Sequence, residues 1–113
     1  MDSPPELEAK WKKLKSFVKR DFNKSPDINA ILLLIGVQEL GMGYRKFKKD
    51  EKINLMHIAI CRLLEPFGYY EYDGRDKDGW PHYKNTDKLP ALKAGEQAIL
   101  MKQAIVKYFE EEA

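Results

Sequence analysis

Leu63-Leu64-Glu65-Pro66-Phe67-Gly68-Tyr69-Tyr70-Glu71-Tyr72-Asp73 is where this chain stops reading as helix. Pro66 disfavours helical geometry in the residue before it, and Phe67-Gly68 breaks the apolar period that precedes them. Tyr69-Tyr70-Glu71-Tyr72-Asp73 and Trp80-Pro81-His82-Tyr83-Lys84 then read as two strands, rich in the aromatics that suit a pleated surface. Gly74-Arg75-Asp76-Lys77-Asp78-Gly79 between them is turn material. Pro81 cannot donate to a ladder, which predicts a sheet edge. Two strands alone are marginal in water, so their aromatics are expected to lie on helices.

Helical patterns flank this hairpin on both sides. Upstream, Ala30-Ile31-Leu32-Leu33-Leu34-Ile35-Gly36-Val37 is apolar all the way round, as in a buried central helix. Ser25-Pro26-Asp27 offers it a cap, an N1 proline and an acid at the positive dipole end. Gly36 predicts a close approach by a neighbouring helix, and Gly41 a C′ position. The next helix is expected from Lys49 until before Pro66, with Phe47 as a hydrophobic staple. Its expected core face is Ile53, Met56, His57, Ile60, Leu63 and Leu64. Leu55 and Ile58 lie opposite, with Glu51 and Arg62, as a second apolar patch, so the helix is expected to be covered on two sides, within the fold or by another subunit.

A first helix over about Pro4–Phe22, started by Ser3 with Glu6, carries Leu7, Trp11, Leu14, Val18 and Phe22 on one face and Phe17 at its edge. Lys12, Lys13, Lys19 and Arg20 fall on its other side. A last helix over about Ala94–Glu111 carries Ala98, Met101, Ile105, Tyr108 and Phe109, with Ile99 and Val106 pointing the other way. The expected fold is therefore mainly α (α+β). It is a single domain over residues 1–113, four helices with one β-hairpin between helices 3 and 4.

Bulk properties agree. A chain of 113 residues is one domain's length. At 43% hydrophobic and 34% charged, its composition is that of a globular chain. One cysteine, Cys61, rules out an intrachain disulfide and fits a reducing compartment. Met1-Asp2-Ser3-Pro4-Pro5-Glu6 lacks the basic and apolar regions of a secretory signal. The run Ala30–Val37 is far short of the ~20 residues that span a bilayer. We expect a cytoplasmic protein without a membrane segment. Residues 1–49 carry eleven Lys/Arg against six Asp/Glu, and the rest nine against twelve, which permits an acidic partner at one end.

Few residues offer chemistry. His57 and Cys61, four apart, share a side of the third helix, a spacing that can serve two ligands of a zinc ion, with His82 as a third. No second cysteine or paired carboxylate joins them, and a core histidine beside a buried thiol is the preferred reading. Cys61 as a nucleophile needs an exposed, electropositive setting, which Ile60, Leu63 and Leu64 do not provide. Asp76-Lys77-Asp78-Gly79 resembles part of a calcium loop, but Gly74 and Asn85 stand where that loop needs acids. No glycine-rich phosphate loop and no nucleophilic triad is present. The sequence calls for no cofactor, and nothing in it points to an enzyme.

Tyr44-Arg45-Lys46-Phe47-Lys48-Lys49 interleaves four cations with two aromatics, a pattern that can contact phosphates and stack on bases. Lys10, Lys12, Lys13, Lys15, Lys19 and Arg20 of the first helix add a second basic surface. The order of helix, helix and hairpin over about residues 26–84 also resembles the winged-helix family. In that resemblance Leu63-Leu64-Glu65-Pro66-Phe67-Gly68-Tyr69 leads a recognition helix into a wing turning at Asp73-Gly74-Arg75. It implies a DNA-reading third helix. Asp50, Glu51, Lys52 and Asn54 in its first turns depart from that, because two acids repel phosphate. The same fold can instead serve as a protein-binding scaffold.

Two functions follow as expectations. The first is a non-enzymatic interaction domain, binding a protein partner or a second copy of itself. Tyr70, Tyr72, Trp80 and His82 are its candidate anchors, and Ile99 and Val106 a candidate dimer seam, since Tyr and Trp are favoured at interfaces. The second is nucleic-acid binding through Arg45, Lys46, Lys48 and Lys49 with Lys12 and Lys19.

Overall fold

The computed structural model of the chain describes residues 5–19, 28–43 and 45–112. The helices are α1 (Pro5–Lys19), α2 (Ile28–Leu40), α3 (Lys49–Leu64) and α4 (Ala94–Glu112). A 3-10 turn, Glu65–Phe67, follows α3 and leads into strands β1 (Tyr70–Arg75) and β2 (Pro81–Asn85). The fold is mainly α with one antiparallel hairpin between α3 and α4, as the sequence implies. The expected caps at Ser3 and Ser25-Pro26-Asp27, and the side chains of Phe17, Val18, Lys19, Arg20 and Phe22, lie outside what is described. Among the described residues, no helix is long and apolar enough to cross a membrane.

The chain divides into two compact units, one built on α1 and α4, the other on α2, α3 and the hairpin. In the first, Leu7 and Trp11 of α1 are buried, as are Ala104, Ile105 and Tyr108 of α4. Lys102 pairs with Glu8 at 3.2 Å and lies 5.7 Å from the centre of the Trp11 ring. The core stripe of α4 is displaced from the one expected. Ala98 is exposed, whereas Val106, placed by its heptad spacing on the far side, is buried.

In the second unit α2 is apolar on every side, and Ile31, Leu32, Ile35 and Leu40 are all buried. Gly36 permits its contact with α3. A Cβ there would lie 2.7 Å from the Leu55 carbonyl carbon, which no side chain tolerates. Gly41, at φ +73°, ends the helix by donating its N–H to Val37 O at 3.2 Å. Leu40, Phe47 and Leu55 then form one buried cluster, with Leu33, Val37 and Trp80 packed against it. Phe47 precedes the Lys48 cap as expected, but the N4 position holds Lys52, so it is buried against Leu40 and Leu55 rather than stapling to N4. Glu51 completes the start of α3 by accepting the Lys48 N–H at 2.9 Å.

That docking corrects part of the expected orientation of α3. Leu55, Ile58 and Ala59 are buried, so the second patch is covered within the fold, while on the expected core face Met56 and Ile60 are half-buried, Ile53 is 61% exposed and His57 is exposed too. The physical reason is backbone proximity. Gly36 admits the Leu55 main chain to α2, so the side of α3 carrying Leu55 turns inward and the longer apolar stripe turns partly out. Leu63, Leu64 and Cys61 are buried near the end of the helix. Arg62 and Glu39 join α3 to α2 at 3.2 Å, both largely covered.

Candidate interaction surface

The hairpin is built from its tip. The Asp76 carboxylate accepts the N–H of Asp78 at 2.9 Å and of Trp80 at 3.0 Å through Oδ1, and its Oδ2 lies 2.9 Å from His82 Nε2. These contacts, the His82 hydrogen bond foremost, hold the Asp76 carboxyl below the usual carboxylate range. Of the two acids that resemble a calcium loop, Asp76 is therefore occupied in shaping the turn, and Asp78 enters it through its main-chain N–H. Arg75 beside them donates to Gly79 O, to Leu40 O at 3.0 Å and to Glu39 O at 2.9 Å. The last two are end carbonyls of α2, which lack helical partners of their own. Trp80, against the Leu40–Phe47–Leu55 cluster, completes the anchorage.

Along the strands, Tyr70 pairs with Asn85, Glu71 with Lys84 and Tyr72 with Tyr83, and a bulge before Arg75 shifts the register to Pro81. Alternation puts Tyr70, Tyr72 and Tyr83 on one face and Glu71 with Lys84 on the other. Tyr70 meets the His57 ring edge-on, with centroids 6.5 Å apart, which seats that face on α3. Tyr83 is half-buried near Glu39 and Glu65. Burial, then those two carboxylates, push its phenol up to about 12. Tyr72 packs edge-on to Tyr83 at 5.5 Å, yet stays 49% exposed. Pro81 is buried.

The anchors expected from sequence thus separate. Tyr70 and Trp80 are half-buried against the helical seat, His82 is exposed and engaged by Asp76, and Tyr72 is offered to solvent. Ile99 is half-buried on α4 and Val106 is buried, so the two do not form an exposed seam. Sequence reasoning missed Ile53. It lies one turn before His57 on α3; the His57 ring meets Tyr70 on β1, and Tyr72 shares the strand face of Tyr70. The signal was present in the helical period, but read with the wrong side inward.

His57 and Cys61 do meet, at 3.6 Å between Nε2 and Sγ. The histidine is exposed rather than a core residue, because the α3 side that carries it faces outward. The Cys61 thiol is buried, which pushes it up to about 11, so it is protonated and unreactive near neutrality. Among the described residues, no group of three or more His, Cys, Asp or Glu is placed to hold a metal ion. A shallow open depression of about 340 Å³ lies on the α1–α4 unit, floored by Leu7 and Val106. Its Lys10 already pairs with Glu110 at 3.2 Å and Glu6 at 3.7 Å, which holds the ammonium above its usual range.

The basic loop is less open than its sequence implies. Phe47 is buried and cannot stack on a base, and the Arg45 guanidinium lies over its ring while bonding Glu51 at 3.1 Å. Lys46, Lys48 and Lys49 are exposed, as is Lys12 on α1. Compared with known proteins, the chain matches no protein-family model, no curated protein and no solved structure.

Proposed function

We propose that this chain is a non-enzymatic protein-interaction domain that contacts its partner through Ile53, His57, Tyr70 and Tyr72. One observation carries the reading: the His57 ring of α3 meets Tyr70 of β1 edge-on, and Ile53 and Tyr72, on the same two elements, are large hydrophobic side chains left exposed. Single exposed apolar residues are ordinary, whereas several on adjoining elements of an anchored scaffold are the usual mark of a contact surface. Tyr72 is its natural hot spot, being large, rigid and half covered already by Tyr83. The buried, protonated Cys61 thiol argues against nucleophilic chemistry at the His57–Cys61 pair.

Untagged purification followed by mass spectrometry of co-eluting proteins, run in parallel on wild type and Tyr72→Ser, tests this. A protein that accompanies the wild type and is lost from the variant supports the reading. Identical co-elution from both removes it. Light scattering on the same samples reports self-association. The nucleic-acid alternative retains Lys46, Lys48 and Lys49 but has lost Phe47 as a stacking platform. A low-salt mobility shift abolished by replacing those three lysines would favour it instead.

A further inference from the structure

The register of the ladder decides which main-chain groups the hairpin leaves over. Thr86 N–H donates to Tyr69 O at 3.2 Å, and the pairs Tyr70–Asn85, Glu71–Lys84 and Tyr72–Tyr83 follow in step. Hydrogen-bonded pairs alternate with non-hydrogen-bonded ones in an antiparallel ladder. Glu71–Lys84 is therefore a bonded pair. Tyr70 and Tyr72 then turn their N–H and C=O groups away from β2, along the outer edge of β1. Tyr83 and Asn85 do the same along β2.

The two edges are not equivalent. On β2 the residue next in phase is Pro81, which has no N–H and is buried, so that edge is blunted. On β1 both tyrosines keep donor and acceptor, and among the described residues no group pairs with them. Such an edge is a template for another strand.

We propose that β1 accepts an extended segment of a protein partner as a third strand, and that this segment alternates basic with apolar residues. The proposal rests on the interaction reading above and names its occupant. An added strand preserves the alternation of β1, so its side chains fall in turn beside Tyr70 and Tyr72 and beside Glu71 and Asp73. Glu71 and Asp73 are exposed, and Lys84, the ladder partner of Glu71, pairs with Asp73 Oδ1 at 3.5 Å. Two acids to one lysine leave a negative surplus that an incoming Lys or Arg offsets. The other face offers the His57-backed Tyr70 ring and the half-exposed Tyr72, suited to a β-branched or aromatic side chain. A second copy of β1 would set these acids against their own kind, which disfavours self-pairing along this edge.

The probe is a blocked peptide of about nine residues alternating lysine and valine, titrated into the full chain and followed by amide NMR and hydrogen exchange. The Tyr70 and Tyr72 amides are expected to shift most and to exchange about tenfold more slowly. Alternate N-methylation of the probe removes its hydrogen bonds and should weaken binding about tenfold. A glutamate–valine peptide should not bind, and Glu71→Lys with Asp73→Lys should invert the preference. Unmoved Tyr70 and Tyr72 amides, equal binding of the N-methylated probe, or protection by self-association without any probe would each overturn strand addition. A partner lost from Tyr72→Ser in the co-elution experiment would still stand after such a failure, which separates this proposal from the reading beneath it.

Discussion

The tip and the outer edge of one hairpin are built in opposite ways. At the tip the polar groups are turned inward upon the fold. Asp76 holds two backbone N–H groups, Arg75 holds three carbonyls, and Trp80 is packed on the Leu40–Phe47–Leu55 cluster. At the edge, Tyr70 and Tyr72 direct main-chain groups outward, and Tyr72, Glu71 and Asp73 remain exposed. The difference separates holding from binding. Residues that the fold consumes should cost stability when changed, and residues that it spares should cost only association.

Substitutions can break this division, and the seat beneath the hairpin should respond most. Gly36→Ala forces a Cβ into the Leu55 carbonyl, so α2 and α3 must part, at a cost of about 3 kcal/mol. Chemical denaturation measures it, and a variant as stable as wild type would show that the two helices are not held at this distance. Trp80→Ala comes next. Full truncation of a buried tryptophan costs about 3–5 kcal/mol, and this one is half-buried, so about 2 kcal/mol is expected. Arg75→Met follows at about 1 kcal/mol, because its two bonds to the end of α2 are charge-assisted but only the one to Leu40 O is part-buried. Tyr72→Ser should leave stability within about 0.5 kcal/mol while abolishing partner co-elution. A large loss of stability there would dissolve the distinction between tip and edge.

How far the chain announced this arrangement depends on what kind of signal each element needed. The apolar run of α2, its Gly41 terminus and the Pro66-Gly68 break before the hairpin are local features, legible because local chemistry sets them. The orientation of α3 is not local. Its sequence contains two apolar sides, and periodicity counts residues on each without saying which meets α2. That choice falls to Gly36, a residue on another helix. The same ambiguity hid Ile53 and made His57 look internal. On the hairpin, aromatic content predicted strands correctly, but exposure of Tyr72 and the seating of Tyr70 and Trp80 depend on register and on the bulge before Arg75. No single-residue preference encodes either.

Asp76 gives the smallest effect and the finest test of the tip. Its carboxyl is held below the usual range in the folded chain, whereas in the unfolded chain it returns to the ordinary aspartate value of 3.8. As pH falls through 3.8 the unfolded state takes up a proton that the folded state does not, and stability declines. The decline ends once pH passes below the lowered folded value, so the Asp76 contribution is complete above the window and absent beneath it. Asp76→Asn keeps an oxygen able to accept from Asp78 and Trp80 but cannot carry the charge that faces His82. Its denaturation midpoint should therefore lie slightly below that of wild type at neutral pH, and the gap should close as the solution is acidified past the window. A gap that persists unchanged into strong acid would mean that the turn depends on the shape of the side chain and not on its ionisation.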